Sequence, residues 1–446
     1  MIQRSNITVG RSSSSGGKTI KTTVRSGVLH MLKAMRTQSN KQRIWIVSEL
    51  YYPELTSTGY FVTGIAEGLA QSYSVSVLCG QPSYWKRGVR APVREMLNDV
   101  QVRRCWATTL NKNRLAFKIL NSITLSFSLF WAALFHFKRQ DIVVAVTNPP
   151  MLPYVMVLAC RFKGARLVLL IHDVYPEIFT RLGILKQHSI PVHLMSYMAC
   201  WLYKAADRII VLGRDMRELV VQKIGGRTSD VVIASNWGDV EAIFPSSRRE
   251  NRLLGMLGLK DSFVVQFCGN IGRTHSVEDL VEVAAALRAE PEFHFLVIGW
   301  GAKKSWLIKQ KQLRDLENMT VLQPLLDEEF CDGLNACDIA IIPFLSGMSG
   351  ISVPSRMYNI LASGKPILAV CNVNSELATV VKEEGVGWVV DPGQTNSIVS
   401  MLRQAKADPA LLRSMGERAR KAAEAKYTMG HVLEIYSSVI EEMGRE

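Results

Sequence analysis

Ser346 to Pro366 carries the residue types and spacing best suited to chemistry. Gly347 and Gly350 lead into Ser352, Ser355 and Arg356, directly after the apolar run Asp338-Ile339-Ala340-Ile341-Ile342-Pro343. That run reads as a buried parallel strand, and Pro354 or Ser355 opens a helix that Gly364 stops. In such a turn the glycines let successive N–H groups, together with the positive end of the helix, face an anion. Arg356 adds a full charge on the first turn. The chemistry implied is the holding of a diphosphate. A second turn of the same kind, Gly269-Asn270-Ile271-Gly272-Arg273, follows the apolar run Phe263–Phe267 and offers Gly272 and Arg273 to the same anion.

His172 and Asp173 stand at the end of the run Leu167–Ile171, at the carboxyl edge of a strand, where sites form in open parallel sheets. They are the candidate catalytic pair; the competing reading is that they cap the next helix. Glu177 is a candidate for orienting an acceptor. The stretch from Tyr51 to Gly59 joins the first strand to a helix, places Glu54 among the acceptor-side candidates and gives close backbone approach to phosphate at Gly59. No Asp-x-Asp pair is present to clamp a divalent cation on a diphosphate, so neither metal nor cofactor is expected. The eight cysteines show no zinc-type spacing and mostly lie in apolar runs, as reduced core thiols of a cytoplasmic protein would.

Positioning these groups requires an α/β chain. Short apolar runs at Ile44–Val47, Val75–Leu78, Val100–Arg103, Ile142–Val146, Leu167–Ile171, Ile209–Leu212 and Val231–Ala234 alternate with helical patterns. After a charged, loop-rich break the pattern restarts at Phe263–Phe267, His294–Ile298, Thr320–Leu322, Ile339–Ile342, Ile367–Ala369 and Trp388–Val390. The division expected is a basic tail at 1–43, a Rossmann-like domain at 44–236, a linker at 237–261, a second Rossmann-like domain at 262–427 and a last helix at 428–446. At 446 residues the chain is long enough for two cores.

The net charge of +14 suggests a nucleic-acid binder until its distribution is considered. Nine cations from Arg4 to Arg43 precede the first acid, Glu49, in a stretch that also holds Ser12 to Ser15 and Gly16-Gly17, which predicts disorder and no nucleic-acid partner. Three readings of that stretch stay open: a polybasic arm on anionic lipid, an organellar transit peptide, or an over-extended start with Met31 or Met35 as the true beginning. Ile119 to Phe137 is uncharged with His136 neutral, and its length is borderline for a membrane span. A crossing there would separate Ile142–Val146 from Ile44–Val47, which belong to one sheet. The remaining readings are a buried helix or one dipping an aromatic side into lipid beside Lys112, Arg114, Lys118, Lys138 and Arg139. The second reading gives an anionic membrane surface as partner and a location on the inner face of the cytoplasmic membrane.

Val353-Pro354-Ser355-Arg356 through Gly364-Lys365-Pro366, with Tyr52-Pro53-Glu54, Ile171-His172-Asp173-Val174-Tyr175-Pro176-Glu177, Ser235-Asn236-Trp237 and Phe267-Cys268-Gly269-Asn270-Ile271-Gly272, resembles family-4 retaining glycosyltransferases in the same order. The branch most similar is that of colanic acid fucosyltransferases and O-antigen N-acetylfucosaminyltransferases. The resemblance runs from about residue 44 to the C-terminus and implies the GT-B architecture, its last helix crossing back onto the first domain. It also implies a GDP- or UDP-sugar donor, a lipid-linked or growing polysaccharide acceptor, and a front-face mechanism in which the departing phosphate helps deprotonate the acceptor. Gly299, Gln323 and Leu325 fall where relatives hold the nucleoside, and His172 where they touch the donor sugar. Two positions depart from the pattern: Asn270 stands where an Arg is common, and the usual pair of glutamates falls on Ile351 and Asn359. Asn359 can still hydrogen-bond a ribose diol, without charge assistance. A sugar-nucleotide 2-epimerase and a non-catalytic assembly partner are the alternatives.

Overall fold

The computed structural model describes residues 41–445 apart from Leu55, 84–89, 111–114 and Leu326. Most of the expected tail, and Lys112 and Arg114, lie outside the described residues. The first domain opens with β1 (Arg43–Val47), α1 (Ser57–Ala70) and β2 (Ser74–Cys79), and continues through β3 (Arg94–Leu97), β4 (Val100–Arg104), α2 (Leu115–His136) and β5 (Ile142–Val146). Then come α3 (Leu152–Lys163), β6 (Arg166–Ile171), α4 (Glu177–Arg181), α5 (Ile190–Ala205), β7 (Arg208–Val211), α6 (Arg214–Lys223) and β8 (Val231–Ile233). Its eight strands lie in the order β3-β4-β2-β1-β5-β6-β7-β8. All pair in parallel except β3 with β4. Every residue of β5 is buried, with no in-out alternation, because helices cover both faces of the sheet.

Right-handed crossovers fix which helices share a face. The chain moves one way along the sheet from β1 to β2, and the other way from β4 to β5, β5 to β6 and β6 to β7. So α1 covers one face, and α2, α3 and α5 cover the other side by side. The edge strand β3 has no counterpart among the expected strands: its Arg-Glu-Met-Leu sequence is half-exposed and carries no apolar run to find.

After α7 (Arg252–Leu257), the second domain runs through β9 (Phe263–Asn270), α8 (Val277–Ala286), β10 (Phe293–Trp300), α9 (Lys304–Leu313), β11 (Met319–Leu322), α10 (Asp327–Asn335) and β12 (Ile339–Pro343). It continues with α11 (Arg356–Ala362), β13 (Ile367–Val370), α12 (Glu376–Glu383), β14 (Gly387–Val390), α13 (Thr395–Ala407) and α14 (Pro409–Lys426). Its six parallel strands lie in the order β11-β10-β9-β12-β13-β14. The expected linker contains α7, capped where the Asn251 side chain accepts the Leu254 N–H at 2.9 Å. Leu253, Leu254 and Leu259 join the second domain's core, so part of that stretch is packed structure. The last helix, α15 (Met429–Arg445), returns to the first domain: Val432, Tyr436, Val439, Ile440 and Met443 complete the core around β1. Gly68 on α1 admits it closely, since a β-carbon there would lie 2.2 Å from Leu433.

Candidate active site

The carboxyl ends of β9 and β10 build one wall of the interdomain cleft from glycine. Gly269 and Gly299 are register partners, with φ of +125° and +156°. A β-carbon on Gly299 would fall 1.9 Å from the Gly269 carbonyl oxygen, and one on Gly301 2.4 Å from that of Ile271. Only glycine permits this approach. Arg356, the first residue of α11, reaches under the same wall. Its Nη2 donates to the Asn270 carbonyl at 2.7 Å and its guanidinium lies 4.2 Å over the Phe267 ring. Nη1 is sealed from solvent with no protein partner, and no carboxylate pairs with this side chain in an ion pair among the described residues. Burial pushes the guanidinium down to about 10, the mark of a desolvated charge lacking its counter-ion. Arg273, the other expected cation, is exposed on the loop.

The Gly347–Gly350 turn differs from the expectation. Both glycines have positive φ, as the turn requires, but the Gly350 N–H donates to Asp215 Oδ2 at 2.7 Å. The Gly347 N–H donates to the Asn372 side chain. Gly350, expected as a phosphate donor, is thus placed in an interdomain clasp, its amide engaged by a protein carboxylate. Asp215 Oδ2 also accepts the Glu376 N–H at 3.0 Å, and Arg214 donates to Glu376 Oε2 and Oε1, each at 3.0 Å, and to Glu383 Oε2 at 2.6 Å. Sequence reasoning missed Arg214, Asp215 and Glu376. Their partners are more than a hundred residues away, and no local pattern links them.

Ser352 and Ser355 likewise bridge the domains. Ser352 forms an antiparallel bridge with Asp173, and its hydroxyl bonds the Asp173 carboxylate. Ser355 Oγ lies 2.8 Å from Ser57 Oγ, so the first turns of α11 and α1 meet across the cleft. Burial raises the Asp173 carboxyl, with the Ser352 bond and then the charge of Lys118 opposing it. His172 is buried beside it and desolvation holds its imidazole down to about 4, so the ring is neutral at neutral pH. His275, two residues after Arg273, is also buried, with Nε2 unpartnered. Burial, then Arg356 and Lys303, hold it well below its ordinary value.

Three acceptor-side or approach residues have structural uses. Glu177, which opens α4, pairs with Lys223 Nζ at 2.6 Å and so ties α4 to α6. Glu54 is buried and accepts the Ser83 N–H, fixing the loop after β2. Gly59 makes a close approach to the protein: a β-carbon would fall 2.5 Å from the Glu54 carbonyl oxygen, so its glycine is explained without a phosphate.

On the nucleoside side, Lys304 gathers the expected residues. Its Nζ donates to the carbonyls of Gly299 at 2.7 Å and Leu322 at 2.8 Å and to Gln323 Oε1 at 3.0 Å, tying the end of β10 to the end of β11. Leu325 turns its side chain away, packing over Gly333 and lining an outer pocket with Phe244 and Met256, which leaves only its backbone for a base. Asn359 lies one turn beyond Arg356, half-buried, its side chain without a protein partner among the described residues.

Residues 58–237 match the glycosyl transferase 4-like domain, and residues 257–422 match the glycosyl transferases group 1 family. The chain is 30% identical over 407 residues to WbjE of Pseudomonas aeruginosa, which carries a glycosyltransferase name, covering 89% of this chain and 97% of that one. It is 25% identical to WcaI of Escherichia coli (strain K12), named for glycosyl transfer in colanic acid biosynthesis, over 86% of this chain and 96% of the relative. Among solved structures, HepE of Anabaena in complex with UDP superposes with a TM-score of 0.67 at 15% identity, covering 90% of this chain and all of that one. Two parallel α/β domains closed on a glycine-lined cleft, and these matches over nearly the whole chain, make one conclusion: the chain belongs to the group 1, GT4-like glycosyltransferases and is a glycosyltransferase enzyme of the GT-B fold.

Proposed function

We propose that this enzyme is a retaining glycosyltransferase that moves a sugar, fucose or an N-acetylated 6-deoxy sugar, from a GDP- or UDP-sugar to a lipid-linked or growing exopolysaccharide or O-antigen acceptor. The observation that carries the donor class is Arg356, a half-buried cation whose Nη1 is sealed from solvent without a partner beneath the Gly269–Gly272 wall. Charge grows on a departing nucleoside diphosphate in the transition state, so a fixed guanidinium there stabilises the transition state more than the bound donor. The UDP in the HepE complex, on the same fold, supports a nucleotide donor. The colanic acid name of WcaI supports a cell-surface polysaccharide acceptor.

Neutral His172 is suited to hydrogen-bonding the donor sugar and unsuited to carrying charge at the site. Asp173 is tied to Ser352, so it is poorly placed to attack C1 as a nucleophile. Both facts favour front-face departure, with the leaving phosphate taking the acceptor proton. The test is incubation with UDP- and GDP-sugars, with and without a lipid-linked saccharide, with products resolved by mass and anomeric configuration by NMR. A product with retained anomeric configuration supports the reading. An epimerised sugar nucleotide, or no turnover and no nucleotide binding, overturns it. Activity undiminished by EDTA is expected; loss that only a divalent cation restores would overturn the metal-free part of the reading.

A further inference from the structure

The face of the first domain that carries α2, α3 and α5 is apolar where it meets solvent. On α2, Ile119, Ile123, Phe127, Trp131 and Phe135 recur every fourth residue and are exposed, Phe135 by 78%. The opposite stripe of the same helix, Leu125, Leu129 and Ala133, continued by Phe137 just past its end, is buried in the first domain's core. On α5 a second stripe, Ile190, Leu194, Tyr197 and Trp201, follows the helical spacing and is more exposed still, Ile190 by 85% and Tyr197 by 74%. Between them α3 contributes Leu158 and Phe162, the latter 74% exposed. The seam is packed: Tyr154 on α3 stacks on Trp201 of α5 with ring planes 5° apart, and Arg161 lies over the same indole. Three adjacent helices thus present one continuous apolar surface of the kind that marks an interaction site.

Charge identifies the occupant. None of the three helices contains Asp or Glu, while Lys118, Lys138, Arg139, Arg161, Lys163, Lys186 and Lys204 lie on or beside them. A second copy docked about a two-fold axis would bring this face against itself, cation against cation, since the acids that border it, Asp141 and Asp207, are engaged by the Lys138 and Leu167 amides. A bilayer with anionic headgroups accepts the aromatic stripes at its interface and neutralises the basic rim. We infer that α2, α3 and α5 together form a monotopic docking surface for an anionic lipid bilayer, with α5 an insertion element equal to α2. Ala116–His136 is the one helix among the described residues long and apolar enough to cross a membrane. Here it lies flat, because its buried stripe packs on the sheet and β5, which follows it, pairs with β1.

The geometry also sets which way the cleft faces. Helices that follow parallel strands begin at the carboxyl edge of the sheet, so the three stripes start at the cleft, and Lys118 on α2 is near enough to act on the Asp173 carboxyl. Docking therefore sets the bilayer beside the mouth of the cleft. The proposal draws its purpose from the lipid-linked acceptor argued above. Its test needs neither donor nor acceptor, so the two readings fail separately.

Full-length protein is floated with vesicles of phosphatidylcholine alone and of phosphatidylcholine with phosphatidylglycerol. Binding to the anionic vesicles is expected to exceed neutral binding and to fall as salt rises. The triple change Ile190→Ser, Leu194→Ser, Tyr197→Ser is expected to lower the partition coefficient at least about tenfold, as is Phe127→Ser, Trp131→Ser, Phe135→Ser on α2. Brominated acyl chains should quench the tryptophan fluorescence of the unaltered protein, which keeps the test independent of whether a variant folds. Wild-type binding by a folded α5 variant overturns the role of α5, and equal binding to both vesicle types overturns the anionic partner. Absence of vesicle binding overturns the whole inference. So does a dimer, seen by light scattering, that the α5 changes dissociate.

Discussion

Asp215, at the start of α6 in the first domain, accepts the Gly350 amide of the second domain at 2.7 Å. That contact sits where a free anion cradle was expected, and it changes what the glycine turn is for. The turn aligns the two halves; in the function proposed above, the cation one helix-start later, Arg356, is the group that meets the ligand.

Removal of the clasp should loosen the domains without disturbing either core. Asp215→Ala leaves the Gly350 and Glu376 amides without a partner, a cost of about 1–3 kcal/mol. The melting temperature should fall by a few degrees and the radius of gyration from small-angle scattering should rise. An unchanged scattering profile and melting temperature would mean that Asp215 does not hold the closed arrangement.

Arg356→Ala should weaken nucleoside diphosphate binding by about 1.5–3 kcal/mol, the scale of a hydrogen bond to a charged group. Arg273→Ala should cost less, about 1 kcal/mol or below, because its exposed side chain acts through water. Calorimetric titration with UDP and GDP checks both. Wild-type affinity in Arg356→Ala would remove it from the site.

Asn359→Ala should reduce sugar-nucleotide affinity by about 1 kcal/mol, the worth of a neutral hydrogen bond, while Asn359→Glu should bind at least as well as wild type. If neither change alters binding, the ribose contact lies elsewhere.

Gly299→Ala should abolish donor binding and destabilise the second domain by roughly 3 kcal/mol or more, since it joins a left-handed backbone position to a clash with the Gly269 carbonyl. Denaturant unfolding measures the cost. A Gly299→Ala protein of wild-type stability and affinity would contradict the tight β9–β10 wall.

Below neutrality the buried histidines should destabilise the fold. His172 is depressed to about 4 and His275 well below its ordinary value, each chiefly by burial, so the unfolded chain binds protons that the folded chain refuses. Stability from this source is complete above about pH 6.5 and declines as pH falls toward 4, at up to about 1.4 kcal/mol per pH unit for each histidine. Melting temperatures measured between pH 4.5 and 7.5 should show this slope, and His172→Asn should flatten it. A His172→Asn protein with the wild-type slope would exclude His172 as a source.

Both parallel sheets were legible in the sequence because strands buried on two faces, such as Ile142–Val146, announce themselves as unbroken apolar runs. The half-exposed edge strand Arg94–Leu97 gave no such run and was missed. Arg356 could be read as a candidate from its place after a strand and two glycines. The engagement of Gly350 and Ser352 could not, because Asp215 and Asp173 belong to the other domain and reach them only through the tertiary fold. The second apolar stripe was similarly hidden. Ile190, Leu194, Tyr197 and Trp201 look like the core face of α5 until the sheet is seen to take Val192, Ala199 and Leu202 instead.

Because α15 supplies Tyr436, Val439 and Ile440 to the core around β1, the first domain cannot finish folding when its own strands have left the ribosome. It must wait for the whole second domain to be made, its α1 face open meanwhile. The order of synthesis and the order of folding thus run against each other. A polypeptide ending before Met429 would strand a nearly complete sheet beside a fully competent second domain.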